Sequence, residues 1–362
     1  MSTGLVQPTR AHRAVEQEVG LIQDRLVASN RFHWTVALLS CWLVFGAYLD
    51  AWAHNNIPQL ETFFTPWHGI LYSGAALFMG FIVYTQVRNN LRGYNVRHAL
   101  PEGYGLTLVG LLGFAVGGFA DMLWHLAFGI EKSVEAAISP THLLLILAGL
   151  FAITGPLRAG WRRSTSDNPH GFIQWGPIIL SLTVTLLWLM TLPQILHPLV
   201  NVYAARVEST SANPLSTYVN QVLGAASILI STFILMGLIL FGVRRWRLPF
   251  GTFTFLFTVY AVGLTAMQAE YRFIPGSILT GLLADILNRT LEPSIERRGM
   301  FQLFAFAVPL IFYLLYFLTI ALTGGIAWSI HMWLGMSVLA GAISVGLTVL
   351  MFPASPGVDS QT

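Results

Sequence analysis

Charge is the scarcest ingredient of this chain. Only 10% of its 362 residues are Asp, Glu, Lys or Arg, against about 25% in an ordinary soluble domain. Lysine is nearly missing: Lys132 is the only one, and the remaining basic residues are arginines. Cysteine occurs once, as Cys41 within an apolar run. That excludes an internal disulfide and argues against a thiolate metal site. No Gly/Ser linker, charge block or soluble-domain stretch interrupts the sequence. Signatures of nucleotide binding, Ser-His-Asp hydrolysis and thiol chemistry are lacking as well. The net charge of +3 and the pI of about 9.1 do not indicate a nucleic-acid partner, because the arginines collect in short loops.

What the chain has in quantity is apolar surface: 55% of it is hydrophobic, with a mean hydropathy of +0.65. Apolar stretches of membrane-spanning length fall at 33–54, 66–87, 104–128, 140–157, 173–195, 218–242, 250–270, 300–322 and 327–352. A shorter piece at 273–288 contains Pro275, Gly276, Gly281 and Asp285 and reads as a broken or interfacial helix or a tenth span. The expected fold is therefore all-α, a polytopic transmembrane helical bundle of nine or ten spans. Residues 1–32 form a cytoplasmic segment, without the pattern of a secretory signal, in which Val15–Leu26 reads as an amphipathic helix. Residues 33–352 form a single membrane domain, with halves at 33–158 and 172–352, and 353–362 is a tail. Arg88, Arg92 and Arg97, then Arg158, Arg162 and Arg163, then Arg244, Arg245 and Arg247 follow even-numbered spans. By the positive-inside rule those loops and the N-terminus are cytoplasmic, in an inner or plasma membrane. Arg289, Arg297 and Arg298 join them if the short piece crosses, as expected here.

The four leading spans carry a repeat written in ionisable residues. Span one ends Asp50-Ala-Trp-Ala-His54, and span two opens Glu61-Thr-Phe-Phe-Thr-Pro66-Trp-His68-Gly-Ile-Leu71. Span three ends Asp121-Met-Leu-Trp-His125, and span four opens Glu135-Ala-Ala-Ile-Ser-Pro140-Thr-His142-Leu-Leu-Leu145. The shared pattern is D-x3-H, a gap, then E-x3-[TS]-P-x-H-x2-L, a degree of detail that chance rarely produces. Asp and His at i, i+4 share a helix face. Thr65 and Ser139 are suited to cap the following helix, with Pro66 and Pro140 at its first position. Each hairpin then sets a helix-end Asp/His pair against a helix-start His at one membrane face. Two histidines and a carboxylate suit copper, zinc or non-haem iron. Glu61 and Glu135 are placed to orient the histidines or complete the coordination, and Glu131, four residues before Glu135, can substitute for it. Intramembrane ionisable residues tend to be functional, and Trp52, Trp67 and Trp124 flank them as interfacial aromatics do. The competing reading is a structural Asp–His contact at a helix end.

Over residues 40–150 the sequence resembles the copper-site membrane chain of the particulate methane and ammonia monooxygenases, the copper membrane monooxygenases. The first hairpin, with its run Glu61-Thr62-Phe63-Phe64-Thr65-Pro66-Trp67-His68, is the more similar. The resemblance implies copper held by Asp50, His54 and His68. The second hairpin is similar to the family's neighbouring copper site, which implies Asp121, His125 and His142 as ligands. Asp121 stands where the family commonly has asparagine, an added negative charge. The resemblance further implies a copper-dependent, dioxygen-using oxidoreductase acting on a small apolar substrate, with other membrane or cupredoxin-like subunits as partners. The other partners expected are the lipid bilayer and further copies of the chain.

Two other functions fit the same residues: a copper-handling membrane protein for transport, sensing or delivery, and a b-type haem protein, which has no need of the carboxylates. Among the remaining ionisable groups, Glu270 and Arg272 read as an ion pair and Asp285 as a cavity-facing or capping residue. His197 reads as an extra ligand candidate and His331 as a satisfied bundle histidine. Gly110, Gly113, Gly117 and Gly118 read as a close helix–helix approach.

Overall fold

The computed structural model describes residues 26–57, 64–129, 138–163, 171–205 and 214–352. Eleven α-helices order these residues: α1 (Asn30–Asn56), α2 (Pro66–Leu91), α3 (Gly105–Phe128), α4 (Pro140–Ile153), α5 (Gly155–Arg162), α6 (Gly171–Met190), α7 (Pro214–Arg245), α8 (Thr252–Thr265), α9 (Ile274–Leu291), α10 (Arg298–Thr323) and α11 (Ile330–Met351). The described residues hold no strand, only an isolated bridge between Ala205 and Ile326. Val15–Leu26 lies almost wholly outside the described residues, as does the tail from 353.

Among the described residues seven helices are long and apolar enough to cross a membrane, or eight if the bent pair α4–α5 is one span. Two of the ten expected crossings, α8 and α9, fall outside that count. The apolar run 250–270 does not stay helical: α8 stops after 14 residues and the chain turns through Ala269, whose φ is 57°. Fourteen residues make about 21 Å of helix, short of the ~30 Å hydrocarbon core. The next helix, α9, carries Asp285 and Arg289. The bend of 42° between α4 and α5 falls at Thr154-Gly155-Pro156, where proline cannot continue the hydrogen-bond ladder.

Helix starts follow local chemistry. Ser29, Thr65 and Ser139 each accept a hydrogen bond from the backbone N–H three residues on, at Phe32, His68 and His142. Gly251 offers α8 no side-chain cap. Asp285, buried on α9, does so instead by accepting from Phe253 N (3.1 Å), Thr254 N (2.8 Å) and Thr254 Oγ1 (2.7 Å). Asp285 therefore caps α8, and it also borders a cavity at the arginine end of the bundle.

In lipid, helices associate through close packing rather than through the hydrophobic effect, so small residues set the spacing. A Cβ on Gly46 of α1 would sit 2.7 Å from Leu71 Cα of α2, and one on Gly110 of α3 would sit 2.5 Å from Ala152 N of α4. α1 thus lies antiparallel and close to α2, and α3 likewise to α4. Tyr72 of α2 packs over Gly118 of α3, joining the two pairs.

The bundle has two chemically different ends. At one end Arg163 meets His33 at 2.7 Å, Arg245 donates to Trp161 O and Arg163 O, and Arg298 stacks over Phe352. Arg88, Arg92, Arg97, Arg162, Arg244, Arg247, Arg289 and Arg297 belong to the same end. Arg272 is the one basic residue of the other end among the described residues, paired with Glu270 at 2.8 Å as expected and donating to Thr323. Aspartates 50 and 121 sit at this second end, with their histidines.

Candidate metal centre

The two Asp/His/His groups assemble as the spacing predicts. Asp50 and His54 lie one turn apart near the end of α1, with His54 Nε2 at 3.7 Å from Asp50 Oδ2. The Thr65–Pro66 start of α2 brings His68 Nε2 to 3.5 Å from the same oxygen. In the second group His125 Nε2 lies 3.4 Å from Asp121 Oδ2 and His142 Nε2 lies 3.3 Å from Asp121 Oδ1. Within each trio one donor atom per residue lies within 4.8 Å of the others. Metal–nitrogen and metal–oxygen bonds of ~2.1 Å place neighbouring donors about 3.0–3.4 Å apart. The observed separations lie nearer to that spacing than to the ~2.9 Å of an N–H···O hydrogen bond. Both trios therefore fit a metal ion, each by two imidazoles and one carboxylate.

Surrounding groups aim the rings. Thr65 Oγ1, besides capping α2, lies 3.1 Å from His68 Nδ1, so that Nε2 faces Asp50. His125 Nδ1 lies 3.4 Å from the carbonyl of Gly129, and its Nε2 faces Asp121. Contacts to the far ring nitrogen fix tautomer and orientation in metal sites generally. Trp52 and Trp67 meet edge to face at 6.0 Å beside the first trio.

The trios are adjacent. The rings of His68 and His125 are 6.4 Å apart, centre to centre. One cavity of about 140 Å³ touches Asp50, His54, His68, Asp121 and His142. Leu71, Phe114, Leu145 and Trp188 line its apolar part. Tyr72, one turn after His68, stacks on that ring at 6.0 Å and 17°. It also borders an apolar groove of about 340 Å³ between α2 and α3, shared with Phe114.

Burial separates the two carboxylates. The Asp121 side chain is 1% exposed and that of Asp50 14%. Asp121 Oδ1 accepts a 2.8 Å hydrogen bond from the Thr141 hydroxyl. Asp50 Oδ1 is buried with no hydrogen-bond donor among the described residues.

Glu61, Glu131 and Glu135 lie outside the described residues. His197 joins neither trio: it is fully buried, 2.5 Å from Tyr260 Oη through Nε2, and accepts from Leu199 N. Burial pushes its pKa down to about 3, so it stays neutral as a structural hydrogen-bond partner. His331 is exposed at the start of α11 rather than held within the bundle, and it too lies outside both trios. Thr141, Tyr72 and the Gly129 carbonyl are the contributors that sequence reasoning missed. Thr141 occupies the x of Pro-x-His, and Tyr72 stands at i+4 from His68, a spacing that marks a shared helix face. No family model, curated protein or solved structure matches the chain.

Proposed function

We propose that the chain is a multi-pass membrane protein in which two repeated hairpins each hold one metal ion, copper in preference to iron or zinc. The observation that carries this reading is the pair of preformed trios, Asp50/His54/His68 and Asp121/His125/His142, all of whose members but His125 line one cavity. The preference for copper rests on the likeness of these hairpins to the copper-site chain of the copper membrane monooxygenases, together with the suitability of imidazole donors for copper. By the positive-inside rule the arginine end is cytoplasmic and the trios lie near the outer face of an inner or plasma membrane. The arginines after α7 and those around α9 share one end, as they would if the hairpin α8–α9 leaves that face and returns to it.

Copper, when bound, supplies one-electron redox chemistry and a place for dioxygen. The chain supplies everything else. Asp50 and Asp121 balance the charge of the ions, while Thr65 and the Gly129 carbonyl hold imidazole nitrogens towards them. Phe114, Leu145 and Trp188 keep water from the inner wall of the cavity. The groove between α2 and α3, bounded by Tyr72 and Phe114, gives a small apolar substrate a path from lipid. The same apolar wall favours oxidation over ion transport, because among the described residues no acidic or histidine relay lines the cavity beyond the trios.

The test is oxygen consumption by the copper-loaded protein with small apolar substrates, alone and with candidate partner proteins. Substrate-dependent uptake lost in His68→Ala is the expected result. Copper flux into vesicles without any such uptake would replace oxidation with metal handling.

A further inference from the structure

At the end of the bundle opposite the trios lies a second, chemically different cavity. It has a volume of about 780 Å³ and sits where α7 and α9 end and α10 begins. Arg244, Arg245, Arg247, Arg289 and Arg297 line it, against the carboxylates Asp285, Glu292 and Glu296. Most of the negative charge is already engaged. Asp285 caps α8 through three hydrogen bonds. Glu292 pairs with Arg297 at 3.2 Å. Glu296 is hydrogen-bonded to Ser294 and to its own backbone N–H, which together with Arg247 hold its carboxyl below the usual range.

The arginines are less fully used. Arg245 donates to Trp161 O and Arg163 O and stacks over the Trp161 ring, so it belongs to the bundle. Arg244, Arg247 and Arg289 make no ion-pair contact within 4 Å among the described residues, and Arg247 acts on Glu296 only from farther away. Three guanidinium forks around one cavity match the tetrahedral oxygens of a phosphate group, which arginine binds bidentately. The neighbours point to the source of such a group. Trp246 is buried beneath the cavity, while Phe250 on its rim is 56% exposed at the level where helices leave the bilayer. A headgroup held by arginines with acyl chains over an exposed aromatic fits this boundary, and basic cavities at helix ends take acidic lipids elsewhere.

We propose that this cavity binds a phosphate-bearing anion through Arg244, Arg247 and Arg289, with an acidic phospholipid headgroup as its source. The site is independent of the metal-binding reading and stands or falls without it.

The full chain, purified and stripped of lipid, is titrated with dioleoylphosphatidylglycerol, dioleoylphosphatidylcholine or inorganic phosphate. Retained ligand is counted by native mass spectrometry and thermal unfolding is followed in parallel. Phosphatidylglycerol should bind more than about tenfold more tightly than phosphatidylcholine. The triple variant R244Q/R247Q/R289Q should lose that preference while keeping its helical circular dichroism and elution volume. The triple lysine variant, which keeps the charge but not the fork, should retain a weakened preference if the glutamine variant fails to fold. Displacement of the lipid by inorganic phosphate would identify a free phosphate compound as the source, and no displacement would identify the lipid. A glutamine or lysine variant with no change from the wild type, or a wild type indifferent to both anions, would overturn the proposal.

Discussion

The two trios have the same kinds of donor residue and differ at the residue between proline and histidine. In the second hairpin Thr141 fills that place and its hydroxyl satisfies Asp121, which is almost wholly buried. In the first hairpin Trp67 fills it and turns to Trp52, leaving Asp50 Oδ1 buried without a donor among the described residues. A buried carboxylate is costly unless paired and hydrogen-bonded. The carboxylate of the second trio is thus satisfied through Thr141 without an ion, whereas that of the first carries an unmet demand that a cation would meet. Metal binding should therefore stabilise the first hairpin more than the second, although the donor sets are the same.

The largest effect should come from Asp121, and the contrast with Asp50 is the sharpest. Asp121→Ala removes the partner of two imidazoles and a hydroxyl, and should destabilise the metal-free protein by about 3 kcal/mol. Asp50→Ala, which also removes an unsatisfied oxygen, should cost under about 1 kcal/mol. Unfolding in detergent, followed by circular dichroism in the presence of a chelator, compares the two, and equal losses would erase the distinction. Thr141→Val comes next. It should cost about 1.5–2 kcal/mol, the usual worth of a hydrogen bond to a charged group, and weaken metal at the second trio about tenfold by titration while sparing the first. The smallest stability change is expected of Trp67→Thr, under about 1 kcal/mol, because the new hydroxyl offsets the lost ring contact. Its signature lies elsewhere: the metal affinities of the two trios should converge, and affinities that stay apart would show that something other than this position separates them.

Much of the centre was legible because the repeat is written in ionisable residues, which membrane helices do not otherwise keep. The juxtaposition of Asp and His within each trio, both caps and both helix-start prolines follow from spacing. The meeting of the two trios does not. The 6.4 Å approach of His68 to His125 depends on Tyr72 packing over Gly118, a contact between pairs that no periodicity encodes. Thr141 escaped notice because a threonine after proline reads as part of a helix start. Hydropathy reads 250–270 as one full-length span because it does not register the end of α8 after Thr265 or the turn at Ala269. Asp285 was ambiguous for the same reason: the N–H groups it caps belong to a helix about thirty residues earlier in sequence.

The most direct test of the central claim is metal content per chain, by elemental analysis with electron paramagnetic resonance, on the wild type beside His68→Ala and His142→Ala. Two equivalents are expected in the wild type and one in each variant, with copper as the metal. Unchanged metal content in both variants would contradict that claim.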